Sequence, residues 1–284
     1  MEDTIQKSDE GFSTLQPNAE KELQHPTPNN PPWNSWVAAG VWVMSILAVV
    51  IIPGLFLLPY IATLTGQVSD SVQLVELLKS DPTAIILQVI AIIPAHVVTL
   101  LAAWLVVTRM RAFSFRQTLG WESGGMPWWH YIVILSGFLA LAGVVGHYFP
   151  EQENDLLRIL RSSRAAVYLV AFMATATAPL VEEVVYRGVL YSAFQRTFGI
   201  AFAVVIVTFL FALVHVPQYY PSFSTIFLLT LLSLILTLIR VRTNNLLPCI
   251  ILHTIFNGFQ SIFLVLEPYL DTAPAQIPAI IFQY

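Results

Sequence analysis

Charge is scarce in this chain. Only 11% of its 284 residues are Asp, Glu, Lys or Arg, while 56% are hydrophobic; soluble globular domains carry about 25% charged residues. With a mean hydropathy of +0.71, a water-soluble enzyme or binding module is excluded. Basic runs are missing too: the net charge is −4, and no Lys/Arg cluster offers the electrostatic footprint of a nucleic-acid binder. The single cysteine, Cys249, excludes an internal disulfide framework and reads as a small buried apolar side chain. The short apolar core of a cleavable signal peptide is not seen near the start. Nor is there an internal repeat, or a pair of interrupted spans of the kind that marks many transporters.

What is there is long apolar segments. Crossing the hydrocarbon layer takes about 20 mostly apolar residues per helix. Runs of that kind fall at about 36–60, 84–108, 129–149, 165–194, 199–217, 223–240 and 245–266. The expected fold is an all-α polytopic transmembrane helix bundle of seven, or at most eight, spans. Residues 1–35, acidic and rich in Pro and Asn, read as a disordered polar tail. Residues 36–284 read as the membrane domain, with its functional core at 165–266. Trp33, Trp36, Trp104, Trp128 and Trp129 stand near span ends, where amphipathic rings settle at headgroup level. Arg109, Arg111 and Arg116 in one connection, against Lys79 alone in the one before, predict a cytoplasmic amino terminus. Alternation adds Arg196, Arg240 and Arg242 to that side but leaves Arg158, Arg161 and Arg164 opposite. The apolar "APAQIPAIIFQY" near the carboxyl end is expected to lie at the interface.

Against this background "PLVEEVVYRGVL", residues 179–190, stands out. A carboxylate at mid-bilayer costs about 2.5–3.5 kcal/mol on insertion scales, so such groups usually face an interior cavity and pair with one another. Glu183 and Arg187, four apart, share a helix face within ion-pair reach. Glu182 lies about 100° round, on the stripe of Tyr186, so the two glutamates cannot do the same job. Pro179 supplies no amide proton and leaves a backbone carbonyl free near the carboxylates; a packing bend and a widened, hydrated pocket are both open readings. Phe211 and His215 share a face of the fifth span, His253 and Asn257 a face of the seventh. Two histidines, an asparagine and a glutamate pair in one half of the chain favour a functional cavity over a structural polar network. His96 and His147 have no companion at useful spacing and read as packing residues, His25 and His130 as tail and interface residues.

The three blocks, E-E-x-x-x-R at Glu182, Glu183 and Arg187, F-x-x-x-H at Phe211 and His215, and H-x-x-x-N at His253 and Asn257, resemble the CPBP family of CAAX proteases and bacteriocin-processing enzymes. The likeness runs over about 165–266, with weaker similarity in "FSFRQTLGW". It implies endopeptidase chemistry inside the membrane, in a cavity open to one side. Carried over, Glu182 would activate water beside His215, His253 and Asn257 would hold the oxyanion, and Glu183 and Arg187 would orient and support. The family's other reading makes Glu182, His215 and His253 ligands of zinc. Both glutamic-type and metallo-type hydrolysis therefore stay open, with the metal-free route preferred because Asn257 suits an oxyanion donor better than a ligand.

The expected substrate is a membrane-associated or lipid-modified protein or peptide, with membrane lipid the other partner and no nucleic acid, in a bacterial cytoplasmic membrane. Two other classes fit the residues: a non-catalytic scaffold or immunity factor, and a proton-coupled transporter with Glu182 and Glu183 as its relay.

Overall fold

The structure is a computed structural model that describes residues 26–64, 70–266 and 269. Its helices are α1 (Ser35–Thr63), α2 (Ser71–Ser80), α3 (Pro82–Val107), α4 (Phe115–Leu119), α5 (Trp128–Tyr148), α6 (Asp155–Ser162), α7 (Arg164–Phe198), α8 (Ile200–Tyr219), α9 (Phe223–Thr243) and α10 (Leu247–Leu266). Seven of them, α1, α3, α5, α7, α8, α9 and α10, are long and apolar enough to cross a membrane. They coincide with the seven runs read from the sequence. Among the described residues there is no β-strand, only an isolated bridge between Thr27 and Asn30.

Local chemistry sets the helix starts. Asn34, Asp70 and Asp81 each accept a hydrogen bond from an orphan backbone N–H of the first turn, and Pro82 opens α3 where no N–H is needed. α3 wholly buries Ala84, Ala91, Ala95 and Ala103. Small residues let backbones approach closely where lipid gives helices no hydrophobic reason to associate, and α1 packs along α3. One core cluster joins α1, α3, α7 and α8, with Val184, Val189 and Phe211 at its centre; a second joins α5, α9 and α10 through Phe138, Leu232 and Phe256. Cys249 is buried in the second and unpaired. Seven alternating spans bring α2 and α6 to the same end of the bundle. α6 buries Leu156 and Leu160, while Arg158 and Arg161 pair with Asp155 and Glu153 on its exposed side.

One expectation needs correction. Residues 1–25 of the expected tail lie outside the described residues, but 26–34 are packed rather than loose. Trp33 is only 4% exposed and its Nε1 donates to the Val189 carbonyl at 3.0 Å. Gln195 and Arg196 donate to the carbonyls of Asn29, Pro31 and Trp33. Poor apolar content hid this because backbone carbonyls, not side chains, make most of the contacts. Trp36, by contrast, is exposed, as are Trp128 and Trp129 at the start of α5. Arg240, counted toward the cytoplasmic side, stands in the last turn of α9 and is wholly buried. The segment expected at the interface near the carboxyl end lies outside the described residues.

Candidate active site

The site is built on a helix that twice changes register. Within α7 the stretches Met173–Thr177 and Val184–Leu190 are π-helical, a local widening that often accompanies functional sites. Pro179 accounts for the first. The Ala178 N–H reaches back five residues to the Met173 carbonyl; the next link in that register would join residue 179 to Ala174, and proline has no N–H to make it. The Ala174 carbonyl is instead taken by Asn257 Nδ2 at 2.9 Å. The free carbonyl that Pro179 predicts is therefore real, and an asparagine of α10 satisfies it. The second wide turn is held from outside: Arg240 Nε donates to the Arg187 carbonyl at 3.1 Å and Trp33 to that of Val189.

Glu183 and Arg187 form a sealed ion pair at 2.9 Å, both wholly buried. The rest of the guanidinium is occupied: Nη2 donates to the Ser233 carbonyl and hydroxyl at 2.8 Å each, Nε to Thr237 Oγ1 at 3.3 Å, and its face lies 4.8 Å from the Phe211 ring centroid. The same Glu183 oxygen accepts from His253 Nδ1 at 2.8 Å. A carboxylate only accepts here, so the His253 proton sits on Nδ1 and the lone pair on Nε2. His215 is fixed the same way: its Nδ1 donates to the Phe211 carbonyl at 2.7 Å, leaving Nε2 as acceptor.

Both Nε2 atoms face Glu182. His253 Nε2 stands 3.8 Å from one oxygen and His215 Nε2 4.0 Å from the other. These separations are too long for hydrogen bonds and suit a bridging water. The Glu182 side chain is 22% exposed against 0% for Glu183. It opens on a cavity of about 520 Å³ walled by α1 and α3 opposite, where Val49, Val50 and Ile92 are apolar. Asn257 lines the same cavity, as does Tyr186, whose hydroxyl accepts from Trp42 Nε1 at 3.1 Å. All six residues of the Glu182, Glu183, Arg187, His215, His253 and Asn257 set are thus brought together.

The donor types would suit zinc, and the two measured spacings are somewhat wider than a bound ion would draw them. Zinc bonds of about 2.0 Å in a tetrahedron bring ligand atoms to about 3.3 Å of one another. Here they stand 3.8 and 4.0 Å apart, and no group of three His, Cys, Asp or Glu among the described residues is placed to hold a metal ion.

Sequence reasoning missed several participants. Ser233 and Thr237, four apart on an apolar helix, carried the signal of a polar stripe waiting for a partner. His96, read as a packing residue, lines the cavity and its Nδ1 lies 2.9 Å from Thr177 Oγ1. His130 stacks on Trp129 and His147 meets Tyr148 edge to face, apart from the site; His25 lies outside the described residues.

The fold and site define a polytopic membrane protein with a carboxylate, two imidazoles and a carboxamide around one internal cavity. Residues 164–259 match the family model described as Type II CAAX prenyl endopeptidase Rce1-like. The match runs from the start of α7 into α10, contains all three blocks and bears out the resemblance to the CPBP and CAAX proteases; over this stretch the chain is similar, at family level, to a CAAX intramembrane endopeptidase. No curated protein and no solved structure matches the chain.

Proposed function

We propose that this chain hydrolyses a peptide bond of a membrane-associated or lipid-modified protein, with Glu182 as the base for water and no metal in the reaction. The observation that carries this reading is the gap at Glu182, where one carboxylate faces two imidazole nitrogens at 3.8 and 4.0 Å across the cavity. A water bridging Glu182 and His215 Nε2 is held by two acceptors, which direct both its protons away from the cavity and its lone pair into it. Glu182 takes one proton as the oxygen attacks the scissile carbonyl. The charge that develops on the carbonyl oxygen is met by Asn257 and by His253 when its Nε2 also carries a proton, a state that Glu183 supports through Nδ1. As the C–N bond breaks, the proton on Glu182 passes to the leaving nitrogen.

The apolar walls of α1 and α3 suit a lipid-linked substrate entering from the side. The cavity lies toward the end that carries α2 and α6, as its lining at Val49 and Pro53 of α1 and Gln88 of α3 indicates. With the amino terminus in the cytoplasm of a bacterial cell, the site opens toward the opposite leaflet. Cysteine labelling of introduced residues in the α2 and α6 connections tests that orientation.

The deciding experiment is cleavage of S-prenylated and unmodified fluorogenic peptides by the protein in lipid nanodiscs. Glu182→Gln keeps size and hydrogen bonding but removes the base. It should insert and melt like the parent, with hydrolysis reduced by at least about 10². Undiminished cleavage by the inserted variant would remove Glu182 from the mechanism.

A further inference from the structure

The wall facing Glu182 is not uniformly apolar, and the mechanism above leaves part of it unused. His96 on α3 is 8% exposed and lines the cavity, whereas Val97 and Val98 beside it face outward. Its proton can be placed. The Thr177 hydroxyl has one hydrogen, which it gives to the Met173 carbonyl, so its oxygen accepts from His96 Nδ1 at 2.9 Å. The lone pair of His96 is therefore on Nε2, for which no bonded partner is found among the described residues.

One turn on, Thr99 lines the same cavity, wholly buried, and its hydroxyl has no partner among the described residues. Thr108, Thr230, Thr237 and Thr243 each donate to the carbonyl four residues back, the usual refuge of a helical threonine in lipid. Thr208 is also without a partner among the described residues but does not line the cavity. Thr99 interrupts the buried alanine stripe of Ala91, Ala95 and Ala103, where an alanine would pack without stranding a hydroxyl.

An acceptor and a donor on one helix face, across a cavity from the proposed base, are what the backbone of an extended peptide can use. Each of its residues presents one N–H and one C=O, and residues three apart on a helix are about 5–6 Å apart at Cβ. We infer that His96 and Thr99 form a substrate-binding wall, His96 Nε2 accepting from a backbone N–H of the substrate and Thr99 donating to a neighbouring carbonyl after rotation about χ1. The inference rests on the endopeptidase reading and adds a specificity: at one position near the scissile bond the substrate residue must have an N–H, so proline is refused there.

The test separates this from both a purely structural His96 and a failure of the hydrolase reading. S-prenylated fluorescent peptides, each N-methylated at one backbone amide, are bound to Glu182→Gln protein in nanodiscs, and the parent protein is assayed for their cleavage. One N-methyl position should weaken binding about tenfold, the loss expected when a buried hydrogen bond is left unmade. In Glu182→Gln/His96→Phe that peptide and its unmethylated parent should bind alike, while Glu182→Gln/His96→Asn, which keeps an acceptor, recovers part of the discrimination. If every N-methyl peptide shows the same binding ratio with and without His96, and only the melting temperature falls, His96 merely braces Thr177 and the inference is overturned. His96→Met makes the same comparison if the phenylalanine variant does not insert. Absence of cleavage by the parent, with His96-dependent discrimination intact, would sink the hydrolase reading and leave the wall standing.

Discussion

Replacing Arg187 with methionine tests the centre of the argument, because it removes a charge and little volume. In the parent protein the guanidinium neutralises Glu183 at 2.9 Å and donates to Ser233 and Thr237, all in a place with no exposure. The lost hydrogen bonds are the smaller part of the cost. Thr237 already donates to the Ser233 carbonyl at 2.8 Å, so one acceptor keeps a partner, and each remaining net loss is about 1 kcal/mol. The larger part is the carboxylate left without its cation in a low-dielectric interior, and breaking such a buried pair costs about 3–5 kcal/mol. Arg187→Met should therefore lose at least that much in reversible unfolding in micelles and show no hydrolysis. The double variant Glu183→Gln/Arg187→Met removes both charges and should regain most of the stability, because neutral groups are far cheaper to bury. It should remain nearly inactive, since a neutral amide no longer holds His253 as a carboxylate does. A single variant within about 1 kcal/mol of the parent, or a double variant as unstable as the single, would refute the reasoning.

Trp33→Phe keeps the ring but strands the Val189 carbonyl; a melting curve should show a loss of about 1–3 kcal/mol, and turnover should fall with it if the second wide turn positions the glutamates. Burial in the connection between α5 and α6 pushes the Glu151 carboxyl up to about 7, so the folded state holds that proton more tightly than the unfolded chain. The contribution, at most about 3 kcal/mol, is full below pH 4.5 and lost as pH rises through 7; Glu151→Gln should flatten that part of the melting-temperature profile. Elemental analysis of active protein should find less than stoichiometric zinc, with hydrolysis surviving a chelator; a stoichiometric ion lost together with activity would overturn the metal-free route.

The spans were legible because lipid demands long apolar runs, and the three polar blocks were legible because ionisable groups are costly inside them. The carbonyl released by Pro179 was legible as well, though not its taker, since Asn257 comes from a helix some eighty residues on. What stayed hidden depends on where donors end up in space. The wide turn at Val184–Leu190 has no proline to announce it; it depends on Trp33 and Arg240 collecting the carbonyls of Val189 and Arg187. Those two residues were read as a headgroup-level aromatic and a cytoplasmic-side cation because composition reports neighbours along the chain only. His96 failed for the same reason: its companions, Thr177 and the cavity, are far from it in sequence.

The two adjacent glutamates can now be told apart by their surroundings rather than by their place in a motif. Glu183 has its charge matched by Arg187, spends the same oxygen on His253, and is closed to solvent. Both contacts fall on Oε1, and the whole side chain is enclosed by protein. Glu182, one residue earlier, has no cation within 4 Å among the described residues except imidazoles that would need a second proton. It faces the cavity, and none of the contacts that hold Glu183 in place depends on it. An ordinary helix would already turn the two side chains about 100° apart. The wide turns on either side add to this by freeing carbonyls that Asn257, Arg240 and Trp33 collect, so that α10, α9 and the segment leading into α1 all grip the stretch carrying the pair. Enclosure at Glu183 and exposure at Glu182 are set within a segment held by the same few backbone links. Loosening any of them should affect turnover before it affects insertion.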